Sequence, residues 1–126
     1  MTLDLGQLLR LRGMIQSAAE SIEPDGDGAA ALTESYERLR SRVRELVQVS
    51  AAELQEFDAA FPRLDVINIP DREHPRKMAM RKLAYAPQAK RAQVLLGQLA
   101  GWVSGLIEEL ELEQRHPPEA GQRGGT

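Results

Sequence analysis

The chain has no cysteine, few aromatic residues and no apolar run long enough to cross a membrane. Aromatic residues make up 4% of the 126 positions. Without thiols there can be no disulfide bond, thiolate metal site or cysteine nucleophile, and a reducing compartment is compatible with this composition. The longest apolar stretch, residues 94–107, is shorter than the roughly 20 residues of a spanning helix. Because a basic-then-apolar leader is also missing, we expect a soluble, cytoplasmic protein.

The residues that are abundant favour helices. Ala, Leu, Glu, Arg and Gln dominate the sequence, whereas the β-branched and aromatic residues typical of strands are sparse. A length of 126 residues fits one domain. We predict an all-α, four-helix bundle with long helices in residues 1–115 and a flexible tail in residues 116–126.

Three stretches carry apolar residues every three or four positions, which is the spacing of one helix face. These positions are Leu5, Leu8, Leu11, Ile15, Ala18 and Ile22 in residues 3–22; Leu32, Tyr36, Leu39, Val43 and Leu46 in residues 29–49; and Ala92, Leu96, Leu99, Val103, Leu106 and Leu110 in residues 87–114. A shorter helix is predicted to begin at Ala51, after the capping pair Ser50 and Glu53, and to continue until Pro62.

Prolines divide the second half of the chain. Residues 62–75 contain three prolines together with Val66, Ile67 and Ile69, and this composition predicts an extended connector. A short basic helix is predicted for residues 76–86. Pro87 would then begin the last helix, because proline suits the first helical turn.

Gly97, Gly101 and Gly105 are spaced four residues apart inside the last predicted helix. Each interior glycine lowers helix stability by about 1 kcal/mol relative to alanine, so the pattern predicts a compensating contact. Glycines at this spacing lie near one edge of the helix and let a second backbone approach closely. The partner is either another helix of the same chain or a second subunit.

A subunit interface would also include Leu106 and Trp102. The ring of Trp102 is either an ordinary core anchor or an anchor of that interface.

A basic segment precedes the glycine-containing stretch. Residues 72–91 carry a net charge of +6, whereas the whole chain carries −3. The candidate client-binding residues within it are Arg76, Lys77, Arg81 and Lys82. This segment suits an acidic protein surface, phosphates or the acidic residues of the chain itself. The overall acidity and the scarcity of aromatic residues argue against a dedicated nucleic-acid binder.

Four arginines of the second helix, Arg38, Arg40, Arg42 and Arg44, step round its surface and are interpreted as solubilising.

No pattern of residues predicts catalysis or a cofactor. The Asp-Gly-Asp-Gly stretch of residues 25–28 partly matches a calcium-binding loop, but Glu23 and Pro24 stand at its first two positions. We interpret this stretch as a turn in which Asp27 caps the second helix. His74 and His116 have no second ligand at a metal-binding spacing, so no metal is expected. Because no nucleophile with a base, acid pair in a pocket or phosphate loop is recognisable, we predict that the protein is not an enzyme.

One stretch resembles a known family. Residues 92–106 read AQVLLGQLAGWVSGL, and they are similar to the Gln-Leu-x-Gly-Trp-x-x-Gly-Leu helix of the ATP-independent bacterial proteasome activators. The matching positions are Gln98, Leu99, Gly101, Trp102, Gly105 and Leu106. Weaker similarity covers LLRLRGMIQ in residues 8–16 and RELVQVSAAELQEFDAAF in residues 44–61. Together these stretches extend over about four fifths of the chain in the same order.

The resemblance implies a helical bundle that assembles into a homo-oligomeric ring, dodecameric in the family, and opens the gate of the 20S proteasome. The family docks through a C-terminal Gly-Gln-Tyr-Leu. Here Gly121 and Gln122 match its first two positions, but Arg123 and Gly124 replace Tyr and Leu. The expected function is therefore a non-enzymatic ring-forming subunit that binds the 20S proteasome, unfolded protein clients, or both. The alternative is an oligomeric adaptor or chaperone-like protein that does not open the gate.

Overall fold

The computed structural model describes residues 4–46, 51–65 and 74–115, which fold into a bundle of four α-helices. Helix α1 spans Leu5–Ser21, α2 spans Ala29–Leu46, α3 spans Ala51–Ala60 and α4 spans Pro75–Arg115. No strand occurs within these ranges, so the predicted all-α fold is confirmed. The predicted tail of residues 116–126 and most of the predicted connector, residues 66–73, lie outside the described residues.

The predicted apolar faces form the core. Helices α1 and α2 pack against α4 and against each other; α3 contributes Phe57, and Phe61 directly after α3 joins the same core. The fully buried large side chains are Leu8, Ile15, Leu32, Tyr36, Leu39, Val43, Phe57, Leu96, Leu99 and Val103. Since these positions follow the three-four spacing of the sequence, burial of apolar area accounts for the arrangement of the helices.

Helix α4 is one element of 41 residues, so the prediction of a separate short helix before Pro87 is wrong. Proline has no N–H, so the carbonyl of Leu83 lacks its usual partner within the helix. Both residues lie on the exposed side of α4, where water can satisfy that carbonyl. The helix therefore continues through Pro87, although an interior proline costs about 3 kcal/mol.

The turn between α1 and α2 is held by Asp25. Its Oδ1 accepts a hydrogen bond from the backbone N–H of Gly28 at 2.9 Å, and the carbonyl of Gly28 accepts the first helical bond of α2 from Leu32. The prediction that Asp27 caps α2 is wrong. Its carboxylate instead lies 3.2 Å from the Nζ atom of Lys82 on α4, because the turn packs against that helix.

Gly26 is the position in this turn where a neighbouring backbone comes close. A Cβ atom placed on Gly26 would overlap the backbone of Lys82, whereas a Cβ on Gly101 would meet nothing within 4 Å. The close approach that the sequence predicts for the α4 glycines is thus made by a glycine outside α4.

This contrast gives a stability prediction. We expect Gly26→Ala to lower the free energy of unfolding by about 1–3 kcal/mol, because the backbone of Lys82 must move. Gly101→Ala should raise it by about 1 kcal/mol, since alanine favours the helix and finds open space. Urea denaturation at low protein concentration measures both variants. Equal effects at the two positions would contradict the packing described here.

A polar cluster joins α2 to α3. The guanidinium of Arg44 lies 2.9 Å and 3.1 Å from the two carboxylate oxygens of Asp58, and Arg40 lies 3.0 Å from Oδ1 of the same group. Arg40 also donates to the carbonyl of Phe61 and its guanidinium carbon lies 5.6 Å from the ring centroid of Phe57. The interpretation of Arg40 and Arg44 as solubilising is therefore wrong, because α3 places an acid against them.

Tyr36 makes a second link to the end of α3. Its hydroxyl donates to the carbonyl of Pro62 at 2.7 Å, and burial raises the pKa of Tyr36 to about 12. The side chain therefore stays a neutral donor throughout the physiological range.

The ion-pair cluster predicts a pH dependence. The hydrogen bond from Arg44 holds the pKa of Asp58 below its ordinary value, and the charges of Arg44 and Arg40 act in the same direction. A depressed folded-state pKa stabilises the fold above the unfolded-state value of about 3.9, and this stabilisation is lost as the pH falls through the folded-state pKa. We expect the stability difference between the parent and Asp58→Asn to shrink as the pH falls below the unfolded-state value and through the lower folded-state pKa of Asp58.

Acid unfolding followed by circular dichroism tests this expectation. Glu34→Gln is the matched control, because Glu34 pairs with Arg38 on the solvent-exposed side of α2. Parallel pH profiles for the parent and Asp58→Asn would show that the cluster does not stabilise the fold.

Candidate interaction surface

Helix α4 is longer than the helices that cover it. At 1.5 Å per residue its 41 residues extend about 61 Å, whereas the 17 residues of α1 extend about 26 Å. The buried positions of α4 run only from Ala89 to Ile107. Every residue from His74 to Met80 is exposed, and we call this segment the overhang. Both ends of α4 therefore project past the core.

The side of α4 that turns away from α1 and α2 is exposed and largely apolar. Leu83, Val94 and Leu112 are 78%, 58% and 54% exposed. Their separations of 11 and 18 residues correspond to whole helical turns, so they lie on one side of the helix. We call this side the outer face: it comprises Leu83, Lys90, Val94, Gly97, Gly101, Gly105, Glu108 and Leu112, all of them exposed.

The three glycines lie on the outer face, and no described part of the chain lies over them. An added Cβ at Gly97, Gly101 or Gly105 would meet no atom of the described residues within 4 Å. The alternative in which the first helix or another described helix of the same chain fits against them is therefore wrong. The physical reason is that α1 and α2 pack on the opposite stripe of α4, around Leu96 and Leu99. Contact with a second subunit remains a prediction.

Trp102 lies away from the outer face. Its ring packs edge-on against Phe57 and Phe61, with centroid distances of 5.7 Å and 5.8 Å. Its Nε1 atom is buried and has no hydrogen-bond partner among the described residues. Leu106 is half-buried and also packs against the core. The structure thus places these two predicted interface residues against the core, Trp102 on the flank of α4 that adjoins Phe57 and Phe61, and the glycines on the exposed outer face.

The basic residues of the N-terminal part of α4 do not form one continuous strip. Lys82 pairs with Asp27, and Arg81 is half-buried and also has an interaction partner. Arg76 and Lys77 lie on the exposed overhang. His74, interpreted from the sequence as a surface histidine, accepts a hydrogen bond from the backbone N–H of Arg76 at its Nδ1 and so caps α4.

Exposed methionines accompany these basic residues. Met78 is 45% exposed and Met80 is 64% exposed, with Lys77 beside them on the overhang. Unbranched, polarizable methionine side chains adapt to varied apolar partners. The overhang therefore combines positive charge with adaptable apolar surface.

Charge is distributed along α4 in blocks. Every charged residue from 75 to 91 is basic, residues 92–107 carry no charge, and the charged residues from 108 to 113 are all acidic. The positive end of the helix dipole lies at the N-terminus and its effect is confined to the terminal turns, so Arg76 and Lys77 at one end and Glu113 at the other lie where the dipole disfavours them. This pattern is visible in the sequence once α4 is known to be continuous.

The calcium-loop match and the histidines give no metal site in the described part of the chain. Asp25 and Asp27 are engaged by Gly28 and Lys82 respectively. In residues 4–46, 51–65 and 74–115 there is no group of three or more acidic or histidine side chains placed to hold a metal ion. His116, Gly121 and Gln122 lie outside the described residues.

Among the described helices, none combines the length and the apolar character needed to cross a bilayer. Comparisons with protein families, curated proteins and solved structures find no match for this chain.

Proposed function

We propose that this protein is a non-enzymatic subunit that assembles with copies of itself through the outer face of α4, and that the assembly acts on other proteins. One observation supports the proposal most directly: the outer face, with Leu83, Val94, Leu112 and three glycines exposed along it, is covered by no element among the described residues. That face extends for about 44 Å. Exposed apolar surface of this extent is typical of a protein-protein contact.

The family resemblance supports a ring as the form of the assembly. In the matching stretch, Leu99 and Trp102 pack into the monomer, so the core explains these positions. Gly101 and Gly105 have no such role within the monomer. We therefore propose a ring-forming subunit related to the bacterial proteasome activators, in the cytoplasm, with the 20S proteasome or unfolded proteins as partners. Because Arg123 and Gly124 replace the docking Tyr and Leu, contact with the proteasome would use different residues.

Self-assembly through the outer face predicts the effect of one substitution. The parent should have a solution mass above the 14.0 kDa of one chain, and Gly101→Leu should reduce it to the monomer. The added side chain finds open space in the monomer, so it should block only a partner. Gly13→Leu on α1 is the matched control, because a side chain there also meets nothing within 4 Å. Multi-angle light scattering checks both variants, and a monomeric parent at high concentration would exclude the proposal.

Gate opening is tested separately, by stimulation of 20S peptidase activity. A parent that raises the peptide cleavage rate, while Gly101→Leu does not, would support the activator function. An oligomeric parent that neither binds nor stimulates the 20S particle would leave the assembly in place and exclude the proteasome as its partner.

A helical oligomeric adaptor, or chaperone-like protein, is the second candidate function. The overhang favours it, because Met78 and Met80 are exposed beside Arg76 and Lys77. A disordered client with acidic and apolar residues would match this combination of surface chemistry. Such a protein would bind clients without opening the proteasome gate.

The adaptor function predicts that client binding depends on the charge of the overhang. Arg76→Glu with Lys77→Glu should weaken binding of an acidic disordered peptide about tenfold or more at low salt, because attraction becomes repulsion. Arg81 and Lys82 are kept unchanged, since both make contacts within the chain. Arg10→Glu with Arg42→Glu is the control, with the same charge change on exposed positions of α1 and α2. Equal affinities in fluorescence anisotropy would exclude the overhang as the client site.

A further inference from the structure

We infer that two copies of the chain pair through antiparallel α4 helices, with Gly97 of one copy facing the partner's Gly101. This inference rests on the proposed self-assembly and adds its direction, its register and its symmetry. The outer face is the surface of α4 that no described element covers. We assign it to a second copy of the chain, because its charged residues are complementary to those of an antiparallel copy.

The charge blocks of α4 determine the direction. A parallel pair would bring basic residues against basic ones at one end and acidic against acidic at the other. An antiparallel pair brings the acidic block of each helix beside Lys90 and Arg91, the last two residues of the partner's basic block. It also places the dipoles of the two helices in opposite directions, which is the favourable relative orientation of two neighbouring helix dipoles.

The positions of charge on the outer face determine the register. Lys90 and Glu108 are its two charged members, and both are exposed. When Lys90 faces the partner's Glu108, the midpoint of the contact falls between Gly97 and Gly101. The same register places Val94 opposite the partner's Ser104 and Ala86 opposite the partner's Leu112. The two charged residues and the glycines Gly97 and Gly101 are therefore brought together by a single alignment.

The glycines lie where the two helices must be closest. Ordinary helix pairs are separated by 8–10 Å, a distance set by the side chains at the contact. Absent side chains at Gly97 and Gly101 permit a closer approach at the midpoint, and nothing within the monomer occupies that space. Side chains of increasing size follow toward both ends, where crossing helices diverge.

The resulting contact is two-fold symmetric. A two-fold contact closes on itself at two copies, so a larger ring would contain such pairs as building blocks and have an even number of subunits. A contact along one helix face is small compared with the roughly 800 Å² per partner of a standard interface. We therefore measure association at high protein concentration.

Cysteine cross-linking tests the register, because the chain has no native cysteine. Val94→Cys mixed with Ser104→Cys should give a disulfide-linked dimer of about 28 kDa, twice the chain mass of 14.0 kDa. Val94→Cys alone should not, since its two copies would be ten residues, about 15 Å, apart along the axis. A parallel pair in register would instead link Val94→Cys with itself and would not link Val94→Cys to Ser104→Cys. Cross-linking of Val94→Cys with itself would therefore overturn the inference.

Charge reversal tests the direction independently. Lys90→Glu and Glu108→Lys should each raise the dissociation constant about fivefold at low salt, and the double variant should restore it. Arg42→Glu, an exposed change on α2, is the control and should leave association unchanged. Single variants without effect, or a double variant weaker than either single one, would exclude the pairing of these two residues.

The outcomes separate this inference from the proposed function. A monomeric parent at high concentration would exclude both. An oligomeric parent with no cross-link between Val94→Cys and Ser104→Cys would retain self-assembly and overturn the antiparallel register. An oligomer that shows both the mixed cross-link and charge rescue supports the inference.

Discussion

The whole arrangement depends on one helix being covered along only part of one side. Helices α1 and α2, each less than half the length of α4, bury its stripe around Leu96, Leu99 and Val103. A side chain can reach that core from about half of the helix circumference, so the other half has to face solvent or another molecule. Packing of the monomer thus determines where any partner can contact α4, before the chemistry of that partner is considered.

Local periodicity predicts most of the fold, and long-range contacts account for what it misses. The apolar stripes correctly identify the buried faces, because burial follows the helical repeat. Pro87 leads to the wrong start for the last helix. The preference of proline for the first helical turn does not indicate whether water can hydrogen-bond the free carbonyl of Leu83. Arg40 is misleading for a related reason. Its burial depends on Asp58, which is 18 residues away and reaches it only after α3 folds back.

The glycines show the same limit for the candidate site. Their spacing correctly indicates an edge of α4 without side chains, but it carries no information on which molecule approaches that edge. In the folded chain the close backbone contact is at Gly26, in a turn whose sequence favours flexibility for reasons unrelated to packing. A spacing rule therefore identifies a surface, and only the three-dimensional arrangement shows whether the chain itself covers it.

Two features of α4 reduce the stability of the isolated chain, and neither is compensated within the described fold. Three interior glycines cost about 3 kcal/mol relative to alanine, and Arg76, Lys77 and Glu113 lie at helix ends of unfavourable sign. Exposed ion pairs contribute only about 0.2–1 kcal/mol each, so charge alone cannot offset the glycines. In the proposed α4 pair, close packing at Gly97 and Gly101 would supply most of the strength, while Lys90 and Glu108 would select the direction. Direction and strength then come from different residues, and each can be altered without the other.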